Sequence, residues 1–116
     1  MKILITRPLQ QSRRFARALD KQFGESLEIC ISPVLEIKFF RVEINLKPFD
    51  GLIFTSESGV KAFAHLNKKT DKKVYCVGAY TSEVARKSGL SVSHTEKDVE
   101  DLKTWLVEND SEKTLL

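Results

Sequence analysis

At residues 49–60 the chain reads FDGLIFTSESGV, and the reading of this stretch decides the fold. Leu52-Ile53-Phe54 is a short continuous apolar run, as expected of a strand buried on both faces. Thr55 and Ser56 end it. From about Ser56 to Asn67 the period changes, and Val60, Phe63 and Leu66 recur at the spacing of a helix's inner face. A buried strand that runs through two hydroxyl residues into a helix is the first half of a βαβ unit. It carries no evident catalytic acid, base, metal ligand or glycine-rich phosphate loop.

The same plan recurs on either side. Lys2-Ile3-Leu4-Ile5-Thr6 reads as a strand covered on both faces and broken by Arg7-Pro8; Ser12, Phe15, Ala16, Leu19 and Phe23 then mark a helix that Gly24 stops. Leu27, Ile29 and Ile31 alternate with Glu28 and Cys30 as a second strand closed by Pro33. Val34 to Ile44 continues as an extended segment too long for one ordinary strand, so it reads as two strands or as one crossing between units. After the polar loop 67–72, Val74 to Val77 forms a strand, Gly78-Ala79-Tyr80-Thr81 a turn, and Ser82 to Ser88 a short helix stopped by Gly89. Leu90 to Ser93 reads as a weaker strand, with His94 in the loop after it. Val99, Leu102 and Leu106 mark a last helix, with Trp105 beside its stripe, and Thr114-Leu115-Leu116 reads as the start of another strand. Strands alternating with helices of roughly ten residues imply an α/β fold, with a mainly parallel sheet between two helical layers.

Composition bounds the function. A chain of 116 residues with 41% hydrophobic content can bury a core, since a domain of this size hides about two-thirds of its unfolded surface. Lys and Arg number 19 against 16 Asp and Glu, interleaved, for a net charge of +3. That pattern suits small anionic ligands and offers no polybasic arm for nucleic acid. No apolar run reaches the roughly 18 residues of a membrane span, and the N-terminus reads as a strand where a signal peptide would have its apolar core, so a cytoplasmic protein is expected. Cys30 and Cys76 sit in apolar, strand-like segments without CxxC or Cys/His spacing and read as buried reduced thiols.

In open α/β sheets ligands bind beyond the carboxyl ends of the strands, where helix N-termini present free amides. The turns at Arg7, Thr55-Ser56 and Gly78–Thr81 all fall there. Thr55, Ser56, Thr81 and Ser82 can cap the following helix, hand a hydroxyl to a ligand, or do both. Gly51 and Gly78 permit tight turning or close approach. Arg7 can grip a carboxylate with two parallel bonds or remain solvated, and Tyr80 can stack on a flat ligand or pack. His65 and His94 have no metal or triad spacing. GxGxxG and Walker A spacings are missing. Glu57 reads as a favourable charge at a helix start. The residues alone therefore lead to an anion-accepting cleft of amides and hydroxyls.

The motifs in order, Ile3-Leu4-Ile5-Thr6-Arg7-Pro8 with Gln11, Ser32-Pro33 with Leu35-Glu36-Ile37, Phe49 to Ser56 with Gly59-Val60, and Val77-Gly78 with Thr81, resemble the N-terminal half of uroporphyrinogen-III synthases. Ser58 stands where that family often has asparagine. The resemblance implies an enzyme that closes linear hydroxymethylbilane to uroporphyrinogen III, inverting the last pyrrole ring and releasing water, with no cofactor. It implies that Arg7, Thr55, Ser56, Gly78 and Thr81 face a polycarboxylate substrate held between two α/β domains. It also implies that residues 1–33 are a strand-helix-strand piece of a first, incomplete domain, and residues 34–116 a second domain ending before its last strands. Family members are roughly twice as long, and their assisting tyrosine has no counterpart here. Unpaired sheet edges would then invite a homodimer that exchanges the Met1 to Pro33 arm. The alternative class is a non-catalytic α/β module binding a small anion or a partner chain; a phosphoacceptor receiver is disfavoured, because no acidic cluster follows Ile5 or Phe54.

Overall fold

The computed structural model describes residues 1–66 and 68–109. The strand expected at Thr114 to Leu116 lies outside the described residues. The chain divides into two compact units, Met1–Lys38 and Phe39–Leu116.

In the first unit β1 (Lys2–Ile5) and β2 (Glu28–Ile31) pair in parallel, with Ile3 opposite Ile29 and Ile5 opposite Ile31. Helix α1 (Leu9–Phe23) connects them, followed by a 3₁₀ turn at Gly24–Ser26. Pro8 stands at the helix N-cap, where its missing N–H costs nothing. Ser12, fully buried, turns its hydroxyl back onto the Arg7 carbonyl at 2.6 Å. Gly24 ends the helix at φ 57°, a conformation that glycine reaches without penalty. Ile5 and Ser12 are the buried side chains of this unit. The expectation that β1 is covered on both faces is corrected: Leu4 is 61% exposed, because one helix against two strands covers a single face. Cys30 also proves exposed, since it shares the open side of β2 with Glu28.

No strand forms anywhere between residues 32 and 50. The extended segment expected to supply one or two strands has the alternation of a strand but no ladder, since among the described residues no backbone–backbone bond reaches residues 35–45.

In the second unit β3 (Gly51–Phe54), β4 (Lys73–Val77) and β5 (Val92–Glu96) form a parallel sheet in that order. The helices α2 (Glu57–His65), α3 (Ala79–Lys87) and α4 (Val99–Asn109) each follow a strand. The period of two along β4 distributes the core. Val74 and Cys76 point to one face, where they meet Leu52, Phe54, Val60, Phe63, Ala85 and Leu90 under α2 and α3. Tyr75, 1% exposed, points to the other, toward Trp105 of α4 with ring centroids 5.9 Å apart. Helices therefore cover both faces, which makes the unit an α/β fold with three layers.

Two boundaries move. Ala79 to Thr81 was expected as turn but forms the first turn of α3, because the whole reversal is made by Gly78 at φ 88°, ψ 137°. The last strand runs later than Leu90 to Ser93 and contains His94. There the imidazole stacks on the Trp105 indole at 3.9 Å and 10°, and its Nε2 lies 2.7 Å from Glu96 Oε1. No described helix is long and apolar enough to cross a membrane.

Candidate active site

The parallel register Leu52↔Val74 and Phe54↔Cys76 brings β3 and β4 to the same end together. The turns after them, Thr55-Ser56 and Gly78, are therefore neighbours at the carboxyl end of the sheet, where open α/β folds hold ligands. β5 ends beside them, for the Gly78 N–H donates to the Glu96 carbonyl at 2.7 Å. Three helices open at this rim.

Their N-termini are not equivalent. At α2 the Ser56 hydroxyl accepts from the Gly59 N–H at 3.2 Å, and the buried Glu57 in the first turn bonds Lys61 Nζ at 3.2 Å. At α4 the Asp98 carboxylate accepts from the Asp101 N–H at 2.8 Å, and Glu100 and Asp101 add negative charge to the first turn. Only at α3 does the positive end of the helix carry neither a side-chain cap nor an acidic residue of its own in the first turn.

Among the residues singled out from sequence, Thr55 is exposed at the end of β3 and Ser56 is the exposed cap of α2. Ser56 caps α2 and can still serve a ligand, since its hydroxyl proton remains a donor. Gly78 is the cap position of α3. Thr81 lies in that helix's first turn, 7% exposed, with its Oγ1 near the space above Gly78 Cα. Neither Thr81 nor Ser82 caps α3, which corrects the capping reading for both. Ser82, 1% exposed, accepts instead from the Thr95 hydroxyl at 2.8 Å. This buried hydroxyl pair ties the first turn of α3 to β5, and it joins positions 13 residues apart that no local pattern connects. Gly51 is the buried first residue of β3, at the opposite end.

Arg7 belongs to the first unit, exposed just past the carboxyl end of β1. His65 closes α2 and meets the Phe39 ring at 6.0 Å. His94 is held by Trp105 and Glu96, a packing role. Burial pushes the Cys76 thiol up, against a smaller opposing effect of Arg86, so it makes a poor nucleophile. Among the described residues no three His, Cys, Asp or Glu side chains gather as a metal site.

The rim thus offers amides, hydroxyls and one helix start without a side-chain cap, groups of the kind that can accept an anion. Comparison with known proteins bears on what that set serves. A family model described as uroporphyrinogen-III synthase HemD matches residues 13–116. A Methanocaldococcus jannaschii protein named "Putative uroporphyrinogen-III synthase" is 33% identical over 94 residues, covering 75% of this chain and 38% of its own length. The chain therefore spans well under half of that relative; the family-model match takes in all three strand-to-helix turns of the second unit. On this evidence the chain belongs to the uroporphyrinogen-III synthase family.

Proposed function

We propose that this chain supplies the Thr55-Ser56 and Gly78–Thr81 half of a uroporphyrinogen-III synthase site, acting in the cyclisation of hydroxymethylbilane to uroporphyrinogen III. One observation carries the reading: two neighbouring strand-to-helix turns share a rim, and α3 opens there without cap or acid. The substrate is a linear tetrapyrrole bearing many carboxylates. A helix start of this kind holds one of them, while the exposed Thr55 and Ser56 hydroxyls bond another or a pyrrole N–H. Within the first unit Arg7 is proposed, on the resemblance alone, as a carboxylate-binding residue.

The reaction removes the terminal hydroxyl as water and joins the two ends with inversion of the last ring. Its product differs from the spontaneous type I product only in that ring. What the protein must provide is one folded shape of a flexible chain while positive charge develops on it. Positioning by fixed dipoles serves this better than a strong acid or base. No cofactor is assigned.

The same rim of amides and hydroxyls, which can hold an anion whether or not chemistry follows, favours a second reading, a non-catalytic α/β module that binds a small anion or a partner chain. A coupled assay separates the two. Freshly generated hydroxymethylbilane is supplied to the purified chain, the products are oxidised, and types III and I are resolved by chromatography, with binding of uroporphyrin III followed in parallel by fluorescence. Type III above background is the expected result. Binding with only type I at the spontaneous rate supports the binding module, and neither binding nor type III overturns both readings.

A further inference from the structure

The turns that open α2 and α4 are fixed by their own side chains, Ser56 and Asp98, whereas the turn that opens α3 has no such cap. What holds it comes from β5. The register Cys76↔Thr95 and Val77↔Glu96 carries the end of β5 alongside the start of α3. There the Gly78 N–H donates to the Glu96 carbonyl at 2.7 Å, and the Ser82 N–H donates to the Gly78 carbonyl at 3.1 Å. The Thr95 hydroxyl donates to Ser82 Oγ at 2.8 Å. Thr95 and Glu96 are joined by a peptide bond, so the three hydrogen bonds close a ring that grips the first turn of α3 at both ends.

This clamp does what a side-chain cap cannot. A cap satisfies an amide of the first turn by occupying it. The grip from β5 takes the Gly78 N–H, which precedes the helix, and otherwise works through the Ser82 side chain. It orients the turn and uses none of the amides of residues 79–81. Ser82 is 1% exposed, so water does not compete for its bond to Thr95.

We infer that Ser82 and Thr95 are positioning residues, which set the Gly78–Thr81 turn in the orientation that meets an anionic ligand. The inference rests on the site proposed above. A turn held in place before binding presents its dipoles and the Thr81 hydroxyl without rearrangement, whereas a loose turn must be ordered by the ligand at a cost in affinity. Ser82 is too deeply buried to reach a ligand, and Thr95 commits its proton to Ser82. Both therefore act through the turn.

The test titrates the whole chain with uroporphyrin III and follows binding by fluorescence. Thr95→Val keeps the branched shape and removes the O–H, and should raise the dissociation constant on the order of tenfold. Ser82→Ala should do the same. T95V/S82A together should bind no more weakly than either alone, because each removes the same bond. Thr95→Ser keeps the hydroxyl without the methyl and should bind as the wild type does. That rescue separates positioning from packing, since a packing role would follow the methyl and spare Thr95→Val. In amide exchange, peptides covering residues 78–82 should open sooner in Thr95→Val, with β3 unchanged. A wild type that does not bind uroporphyrin III overturns the proposed site and this inference with it. Binding that survives Thr95→Val and Ser82→Ala undiminished, Thr95→Ser as weak as Thr95→Val, or single losses that add in the double variant would overturn the inference alone and leave the site standing.

Discussion

At the scale of single residues, the rim depends on two side chains that fix how helices begin. Ser56 gives its oxygen to the Gly59 N–H, so Ser56→Ala should lower unfolding free energy by about 1 kcal/mol in urea, and Ser56→Gly by only a few tenths. Gly78 carries φ 88° with ψ 137°, a region essentially closed to residues with a Cβ. An added methyl finds ordinary space, its nearest neighbour being Thr81 Oγ1 at 3.8 Å. The penalty of Gly78→Ala is then backbone strain alone, about 1–3 kcal/mol. An unchanged midpoint would mean that the helix can start another way. Cys76 allows a prediction in pH. Burial raises its pKa in the folded state, so the unfolded chain loses the thiol proton first as pH rises. Stability is complete below the unfolded value of about 8.5 and declines above it. Unfolding at pH 7 and pH 10 should show a larger loss in the wild type than in Cys76→Ala. In the native state a thiol reagent should modify the exposed Cys30 and spare Cys76 until unfolding.

At the scale of elements, α2 is held by the edge contact of Phe63 with Phe54, their centroids 5.7 Å apart. Phe63 is 6% exposed, and its truncation to alanine should cost about 3–5 kcal/mol. Elements of this kind were legible in the sequence, because a stripe such as Val60, Phe63 and Leu66 and a run such as Leu52-Ile53-Phe54 state their period and burial locally. So were the stops at Gly24 and Gly89, both at positive φ. What escaped was decided at a distance. β5 reads Val-Ser-His-Thr-Glu, too polar for a buried strand. It lies at the edge of the described sheet; Thr95 bonds Ser82 of α3 and His94 stacks on Trp105 of α4, partners from elsewhere in the fold, while Glu96 of the same strand meets the His94 ring. The start of α3 escaped because one glycine makes a reversal for which four residues had been set aside. The segment beginning at Val34 reads as strand in its alternation, yet among the described residues no backbone–backbone bond reaches residues 35–45. Of the candidate site, the two turns could be read from Thr55-Ser56 and Gly78, whereas the contrast among three helix starts needed their caps to be seen.

At the scale of the whole molecule, the two units differ in what holds them. The second has a three-stranded sheet with helices on both faces, and its central strand carries Val74, Tyr75 and Cys76 at 0–1% exposure. The first has two strands of four residues, one helix and a single buried aliphatic side chain, Ile5. A two-stranded sheet is marginal by itself, and burial on this scale opposes little of the entropy of ordering its backbone. Opening free energies should therefore separate along the chain. In amide hydrogen exchange followed by mass spectrometry, peptides covering β4 should be the slowest, exchanging only through global unfolding of their unit. Those covering β1, β2 and α1 should exchange far sooner through local opening. A domain completed by further chain, as the family resemblance implies for residues 1–33, would gain most of its protection there on completion, with β4 little changed. Equal protection of β1 and β4 in this chain alone would show that the first unit draws stability from contacts beyond its own core.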